Sequence, residues 1–600
     1  MQVRKTIERG GITLAHGSFR VREAENVCAH GCTEPAAQGQ GRRALVRRST
    51  QVASLLPPRS TVGYDVMAHV GRERFVHYRQ REEIRSDLRS RFGVELSAGE
   101  ISALERRFCV YLQALHQDRA DKLRAVLAKD GGWPMHLDAT GEDGQGTLLC
   151  IYAGWRGWVL GAWKIQTERA ESILPRMTET ARLFGPPCAV MRDLGRAVIE
   201  ASRDFIASLS SPIPNLGCHM HLVKDVGKDL LRDSHDALRA LFRRFEIVSD
   251  LGALVRDLGR RLEARVDDGR RQVAAWLEDE RAPYVVPSGE PGLSTVRALC
   301  QWTLDYAADG RDEGFPFDRP LYDLYRRCLR TCRATETFLA RQKDGPVLKS
   351  LGRLFGIVAK VRTEVPFGRH AQILAARARL LDELRAALRL RLKEDSRNAP
   401  LPRVLPPDLA AEELRDIEVA LGELKRSLQE RRPERGPAKD MRDAIDLVLD
   451  HLERHGPSLF GHLVALSESQ GGGFRVVERT NVILESFFHR MKHGERRRSG
   501  RKTLTQDFEH LPPEAALAQN LHHADYVEIV CGTLDDLPAA FATLDDGHRS
   551  LSLPARTRTT APAAAPVTRA MTTIDRRLVR TDEMAARVQA AADSRSVRFV

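Results

Sequence analysis

The segment WPMHLDATGE alternates apolar and polar positions: Met135, Leu137 and Ala139 fall on one side of an extended chain, and His136, Asp138 and Thr140 on the other. This period of two predicts a strand that turns Asp138 away from its apolar layer. GTLLCIYAG and GWVLGAWKIQ follow as two more strands joined by a tight turn. The period then becomes helical in TERAESILPRMTETARLF and returns to strand in CAVMRDL. It alternates once more through the helix GRAVIEASRDFIASL and the strand-like PNLGCHMHLV. Residues 131–225 therefore predict an α/β unit in which Asp193 ends a strand, where open α/β sheets hold their ligands.

The flanks have other periods. In 60–130, Ile84, Leu88 and Phe92 precede a break at Gly93, and Ile101, Leu104 and Phe108 follow Ser97, which with Glu100 forms a capping box. Two helices across a short turn, the second bearing Arg106 and Arg107, predict a helix-turn-helix DNA-binding region, with an ordinary helical hairpin as the alternative. Residues 226–465 read as long helices, with Leu251, Leu254, Leu258 and Leu262 on one stripe and breaks at SRNAPLPRVLPPD and RRPERGPAKD. We read this block as an all-α insertion. No repeat of solenoid length is evident. Residues 1–55 read as an irregular basic segment, and the Ala/Pro/Thr/Arg run after 550 as a disordered tail with a short terminal helix.

In the segment around Glu485, helical spacing sets Asn481, Glu485, Phe488 and Lys492 within roughly 60° of one another. Ile483, Leu484, Phe487 and Met491 fill the opposite stripe. Between Val476 and Lys502, eight Arg or Lys residues face three acids. A carboxylate on a basic helix suits a site that must hold both metal cations and a phosphate backbone.

Composition narrows the class. Six hundred residues suffice for two or three folded units. The formal net charge of +13 suits a chain that meets a polyanion. No apolar run is long enough to span a bilayer and no signal peptide opens the chain, so the expectation is a cytoplasmic, nucleoid-associated protein without a membrane partner. The scattered cysteines argue for free thiols. Cys28, His30 and Cys32 make a CxHxC zinc candidate that lacks the second ligand pair of a tetrahedral site.

DATGE with its flanking strands, RDLGRAVIEA, CHMHLVKDVGKDL and RTNVILESFFHRMKHGERRRSG occur in the order that resembles bacterial insertion-sequence transposases of the DDE class, near the Mutator-like group. The resemblance covers roughly residues 60–545. It implies an α/β RNase H-like catalytic core in two parts, 131–225 and 466–545, separated by the helical insertion. It implies Asp138, Asp193 and Glu485 as catalytic metal ligands, spaced by 55 and 292 residues. Two Mg²⁺ or Mn²⁺ ions suit in-line phosphoryl transfer, with Asp138 between them. By the same resemblance, Cys218 and His221 match a Cys-x-x-His that supports the site, and Arg479, Thr480 and Asn481 match the lead-in to the catalytic Glu, with Val482 where many relatives carry a second Asn. Asn481 and Lys492 are expected to support the active site. Arg106, Arg107, Arg479, Arg496, Arg497 and Arg498 are expected to bind DNA. The expected function is cleavage and transfer of DNA strands at terminal inverted repeats by a homo-oligomer that also engages target DNA. A catalytically silent DNA-binding descendant and an RNase H-like nuclease without strand transfer are the alternatives.

Overall fold

The first β-strand pair lies where the sequence predicts irregular chain. In the computed structural model, which describes residues 1–35, 42–142, 145–262, 266–286, 289–390, 407–436 and 438–549, β1 (Gln2–Thr13) and β2 (Gly17–Val27) form an antiparallel ladder from Gln2↔Val27 to Thr13↔Gly17. The alternation Phe19, Val21 continues into Glu23 and Glu25, so the hydrophobic signal stops although the strand does not. Those two acids are buried, and basic side chains compensate them: Arg48 donates to Glu25 Oε2 at 2.6 Å, and Arg9 lies 3.7 Å from Glu23. Short strands β3 (Thr33–Pro35), β4 (Arg42–Ala44) and β5 (Val46–Arg47) follow, β5 pairing with β2.

The chain divides into two compact units, one made of Met1–Leu216 with the chain from Gly461 onward, the other of Gly217–Phe460. In the first, helices α1 (Thr50–Leu55), α2 (Tyr64–Phe75), α3 (Arg81–Phe92), α4 (Ala98–Asp118) and α5 (Ala120–Lys129) lead into the sheet. The predicted capping box at α4 is present: Ser97 accepts from the Glu100 amide, and Glu100 accepts from the Ser97 amide. The turn between α3 and α4 is the expected one, but α4 does not offer the open recognition face that a helix-turn-helix needs. Eleven of its residues are buried, and Gly99, Arg106 and Asp118 are its exposed positions. Cys109, Tyr111, Leu112, Ala114 and Leu115 make it apolar on more than one side, so it becomes a core helix packed on α2.

The sheet follows in the predicted order. β6 (Pro134–Glu142), β7 (Gln145–Ala153) and β8 (Trp158–Lys164) are antiparallel neighbours; β9 (Ala189–Arg192) lies parallel to β6, and β10 (Asn215–Gly217) forms the far edge, giving β10-β9-β6-β7-β8. α6 (Ala170–Phe184) and α7 (Arg196–Ala207) pack on each other, α6 contacting β7 and β8 and α7 contacting β9. The helices Val482–Ser499 and Thr505–His510 contact β6. The architecture is mixed α/β with a mixed sheet.

The second unit is helical among its described residues, and it begins earlier than the sequence predicts. PNLGCHMHLV is strand as far as Gly217; α8 (His219–Arg244) then starts with Cys218 as its N-cap. Its helical stripe of Leu222, Val223, Val226, Leu230 and Leu231 is buried, and that period outweighs the short extended-looking start. The unit closes at Phe460, five residues before the predicted boundary. Leu251, Leu254, Leu258 and Leu262 are buried as one stripe. The expected tail after residue 550, its terminal helix and most of the SRNAPLPRVLPPD break lie outside the described residues.

Candidate active site

The parallel pairing of β6 with β9 determines where two of the acids lie. Pro134 is opposite Ala189, Met135 opposite Val190 and His136 opposite Met191, a constant offset of 55. Asp138 and Asp193 are separated by the same 55 residues, each two positions beyond the last paired residues, His136 and Met191, and Asp193 is the foremost charge acting on Asp138. Both carboxylates are partly buried. The Asp138 Oδ1 accepts from the Ala139 amide at 2.8 Å, and the Asp193 Oδ1 from the Gly195 amide at 3.1 Å.

Glu485 arrives on a helix that β6 holds at several points. Asn481, fully buried, donates through Nδ2 to the Leu137 oxygen at 3.0 Å, and its Oδ1 lies 3.0 Å from the Nδ1 of buried His136. Further along, Lys492 Nζ donates to the Gly141 oxygen at 2.7 Å, and Arg496 donates to both oxygens of Glu142. Asn481 to Lys492 spans about 16 Å of helix and Leu137 to Gly141 about 13 Å of strand, so the two run side by side. Glu485 lies about 6 Å along from Asn481, which is within one residue of the level of Asp138 on the strand. The half of the sheet that carries Asp138 therefore faces a packed helix. Phe488, expected beside Glu485 away from the packing stripe, is buried with Leu484, Phe487 and Met491.

The electrostatics agree with this geometry. Burial first, then Asp193, and to a lesser degree Glu485 and Glu168, push the Asp138 carboxyl up to about 8. Burial lowers the Lys492 amine, against the pull of Glu142 and Asp138. His136 is driven down to about 4 by burial and stays neutral. Glu168 was not singled out by any motif. It follows β8 in the approach to α6, and its own carboxyl is raised by burial and then by Asp193. Its chain position, just past a strand that ends beside the site, was the available signal.

No protein-family model and no curated protein matches the chain. The site is therefore read from its own chemistry. Asp138, Asp193 and Glu485 are an all-oxygen donor set, in which one carboxyl is raised by burial and then by its neighbours; a hard divalent cation would relieve that repulsion. Among the described residues no three His, Cys, Asp or Glu side chains are already drawn together at metal-ligating distances.

The other predicted residues divide by what they touch. Arg498 donates to Glu495 at 2.9 Å and to Asp507 at 2.8 Å, so it serves the fold. Glu495, 1% exposed, also receives both Nη groups of Arg74 from α2, at 2.8 and 3.1 Å. A Cβ on the neighbouring Gly494 would lie 2.5 Å from the Tyr78 ring, so glycine lets the helix approach this closely. Gly154 plays the same part against His136, whose Nε2 would be 2.4 Å from an added Cβ. Arg107 donates to Ser60 at 3.1 Å, Arg106 and Arg497 are exposed, and Arg479 is half-buried. Cys218 and His221 belong to the helical unit, where Cys218 is buried and the adjacent His219 is hydrogen-bonded through Nε2 to the Leu459 oxygen at 2.8 Å. Cys28 and Cys32 are brought together, and a hydrogen bond from Cys32 holds the Cys28 thiol below its usual range.

Proposed function

We propose that the chain is a DNA transposase of the insertion-sequence type, in which the mixed sheet and its flanking helices form an RNase H-like core and the helical unit is its insertion. The observation that carries this reading is the approach of Asp193 and Glu485 to Asp138: the first just past the strand paired with β6, the second on a helix bonded alongside β6. Acids 292 residues apart in sequence, Asp193 and Glu485, both raise the Asp138 carboxyl.

Asp138, Asp193 and Glu485 would hold two Mg²⁺ or Mn²⁺ ions, which supply activation of the attacking oxygen and charge stabilisation at the leaving one. Asn481 and His136 orient the start of the Glu485 helix, and Lys492 holds its middle to β6. In the first reaction water attacks the phosphodiester at an element end and the bond to the 3′-oxygen breaks, leaving a 3′-hydroxyl. In the second, that hydroxyl attacks a target phosphodiester, forms a new P–O bond and releases a target 3′-hydroxyl. Neither step needs a covalent protein intermediate. The partners are duplex DNA of the inverted repeats and the target, bound by a homo-oligomer that works on two ends. No helix among the described residues is long and apolar enough to cross a membrane.

The test is a strand-transfer assay with Mg²⁺, DNA carrying the element ends, and Glu485→Gln beside the wild type. Joined products from the wild type, absent in the variant, are expected. Cleavage that never leads to joining would reassign the protein as a nuclease, and binding without cleavage as a silent DNA-binding descendant.

A further inference from the structure

The solvent face of the helix Val482–Ser499 carries no acid. Ser486, His489, Arg490, His493 and Arg497 are exposed, while Glu485 is half-buried and Glu495 is enclosed. Arg490 and Arg497 are seven residues apart, two turns, and so lie on the same side of the helix about 10 Å apart along its axis. His493 lies between them, its ring stacked in parallel on that of His489, 6.3 Å apart with a 6° interplanar angle. Exposed Lys502 follows the helix.

Neighbouring cations are already engaged: Arg496 with Glu142, Arg498 with Glu495 and Asp507, and Arg501 with Asp507. Arg490, Arg497 and Lys502 have no acidic partner among the described residues. A merely solvated face usually mixes both signs of charge. Here Arg490 and Arg497, without an acid, share a helix with Glu485, and Lys502 follows it. About 10 Å of helix matches the axial rise of about three phosphates of one duplex strand.

We propose that Arg490, His493, Arg497 and Lys502 form a track for one phosphate backbone of duplex DNA, along the exposed side of the Glu485 helix and past its C-terminal end. The track rests on the transposase reading for the choice of DNA as the duplex. It also assigns backbone contact to this helix rather than to the enclosed α4, and it excludes Arg498, whose guanidinium belongs to the buried ion pairs.

The test is fluorescence polarisation of the full chain with a labelled 40-base-pair DNA duplex across a salt series. The triple variant Arg490→Gln, Arg497→Gln, Lys502→Gln is expected to reduce the slope of log affinity against log salt by about 2.7, near 0.9 per lost phosphate contact. Arg490→Lys with Arg497→Lys keeps the charge and should keep the slope. The same slope in wild type and triple variant overturns the track, as does the absence of salt-dependent DNA binding by the wild type. Tighter binding to duplex RNA of the same sequence overturns the assignment to DNA. Failure of the reading itself appears elsewhere: a wild type that binds through the track yet never cleaves leaves the track standing and removes the transposase.

Discussion

The side-chain amide of Asn481 donates to the main-chain oxygen of Leu137 over 3.0 Å, which ties the start of the Glu485 helix to the residue just before Asp138. Its Oδ1 accepts from the His136 Nδ1 at the same distance. One buried amide thus spans the strand on both sides of a peptide unit. This sets the height at which Glu485 meets the sheet.

Replacing Asn481 by Leu should leave the His136 Nδ1 and the Leu137 oxygen buried without these partners. Each orphaned polar group costs about 1 to 3 kcal/mol, so urea unfolding should show a loss of about 2 to 6 kcal/mol. Cleavage should fall further than stability alone explains, because Glu485 loses its height. A variant of wild-type stability and cleavage would remove Asn481 from the positioning role.

Asp138 is partly buried among like charges, and its carboxyl is pushed up to about 8. Between its unfolded value and that raised value the native state binds more protons than the unfolded state, so stability falls as pH rises through this window. Asp138→Asn keeps the shape and removes the charge. Without divalent ions at pH 8 it should be more stable than wild type by roughly 2 kcal/mol or more, and it should be inactive in cleavage. Added Mg²⁺ should narrow the gap by stabilising the wild type. Differential scanning calorimetry with EDTA and with Mg²⁺ measures both effects, and a destabilised variant in EDTA would contradict the crowding of the acids.

Much of this site was legible because its signals are local. The alternation around Asp138 fixed its strand and face, and the 55-residue spacing proved to be the β6–β9 register. The helical spacing grouped Asn481, Glu485 and Lys492, each of which meets or approaches β6. Long-range compensation was not legible. Glu23 and Glu25 sit at buried strand positions because Arg9 and Arg48 compensate them, and Arg498 is drawn inward by Glu495 and Asp507. Arg107 gave the same misleading basic signal, since its partner Ser60 lies in the loop before α2. Hydrophobic pattern reports burial of carbon, and it misses charge buried in pairs.

His116 gives a pH prediction away from the carboxylates. It is buried in α4, with Nδ1 2.8 Å from the Tyr526 hydroxyl and Nε2 3.1 Å from the Leu160 oxygen, and burial lowers it to about 4. The ring is neutral in the fold and takes up a proton in the unfolded chain below its ordinary value of about 6.5. Its contribution is complete above that pH and is lost as pH falls towards 4, about 3 kcal/mol in all. Denaturation from pH 7 to 4 should therefore show a shallower loss for His116→Gln than for wild type, whatever their stabilities at pH 7. Parallel curves would mean that His116 is protonated in the native state.

The last prediction concerns what joins α2 to the Glu485 helix. Arg74 and Glu495 form a bidentate pair with both residues buried, and Arg498 adds a third charge. Removing one partner strands the other in a medium that solvates charge poorly, so Arg74→Met and Glu495→Gln should each cost about 3 to 5 kcal/mol. Arg74→Met with Glu495→Met removes both charges and replaces them with flexible apolar side chains. It should cost less than Arg74→Met alone, because the buried Glu495 charge is no longer left with Arg498 as its one basic partner. Chemical denaturation of the wild type and variants measures the coupling. Strictly additive losses would mean that the two side chains act separately, and the anchoring of the Glu485 helix would then rest on Asn481 and Lys492.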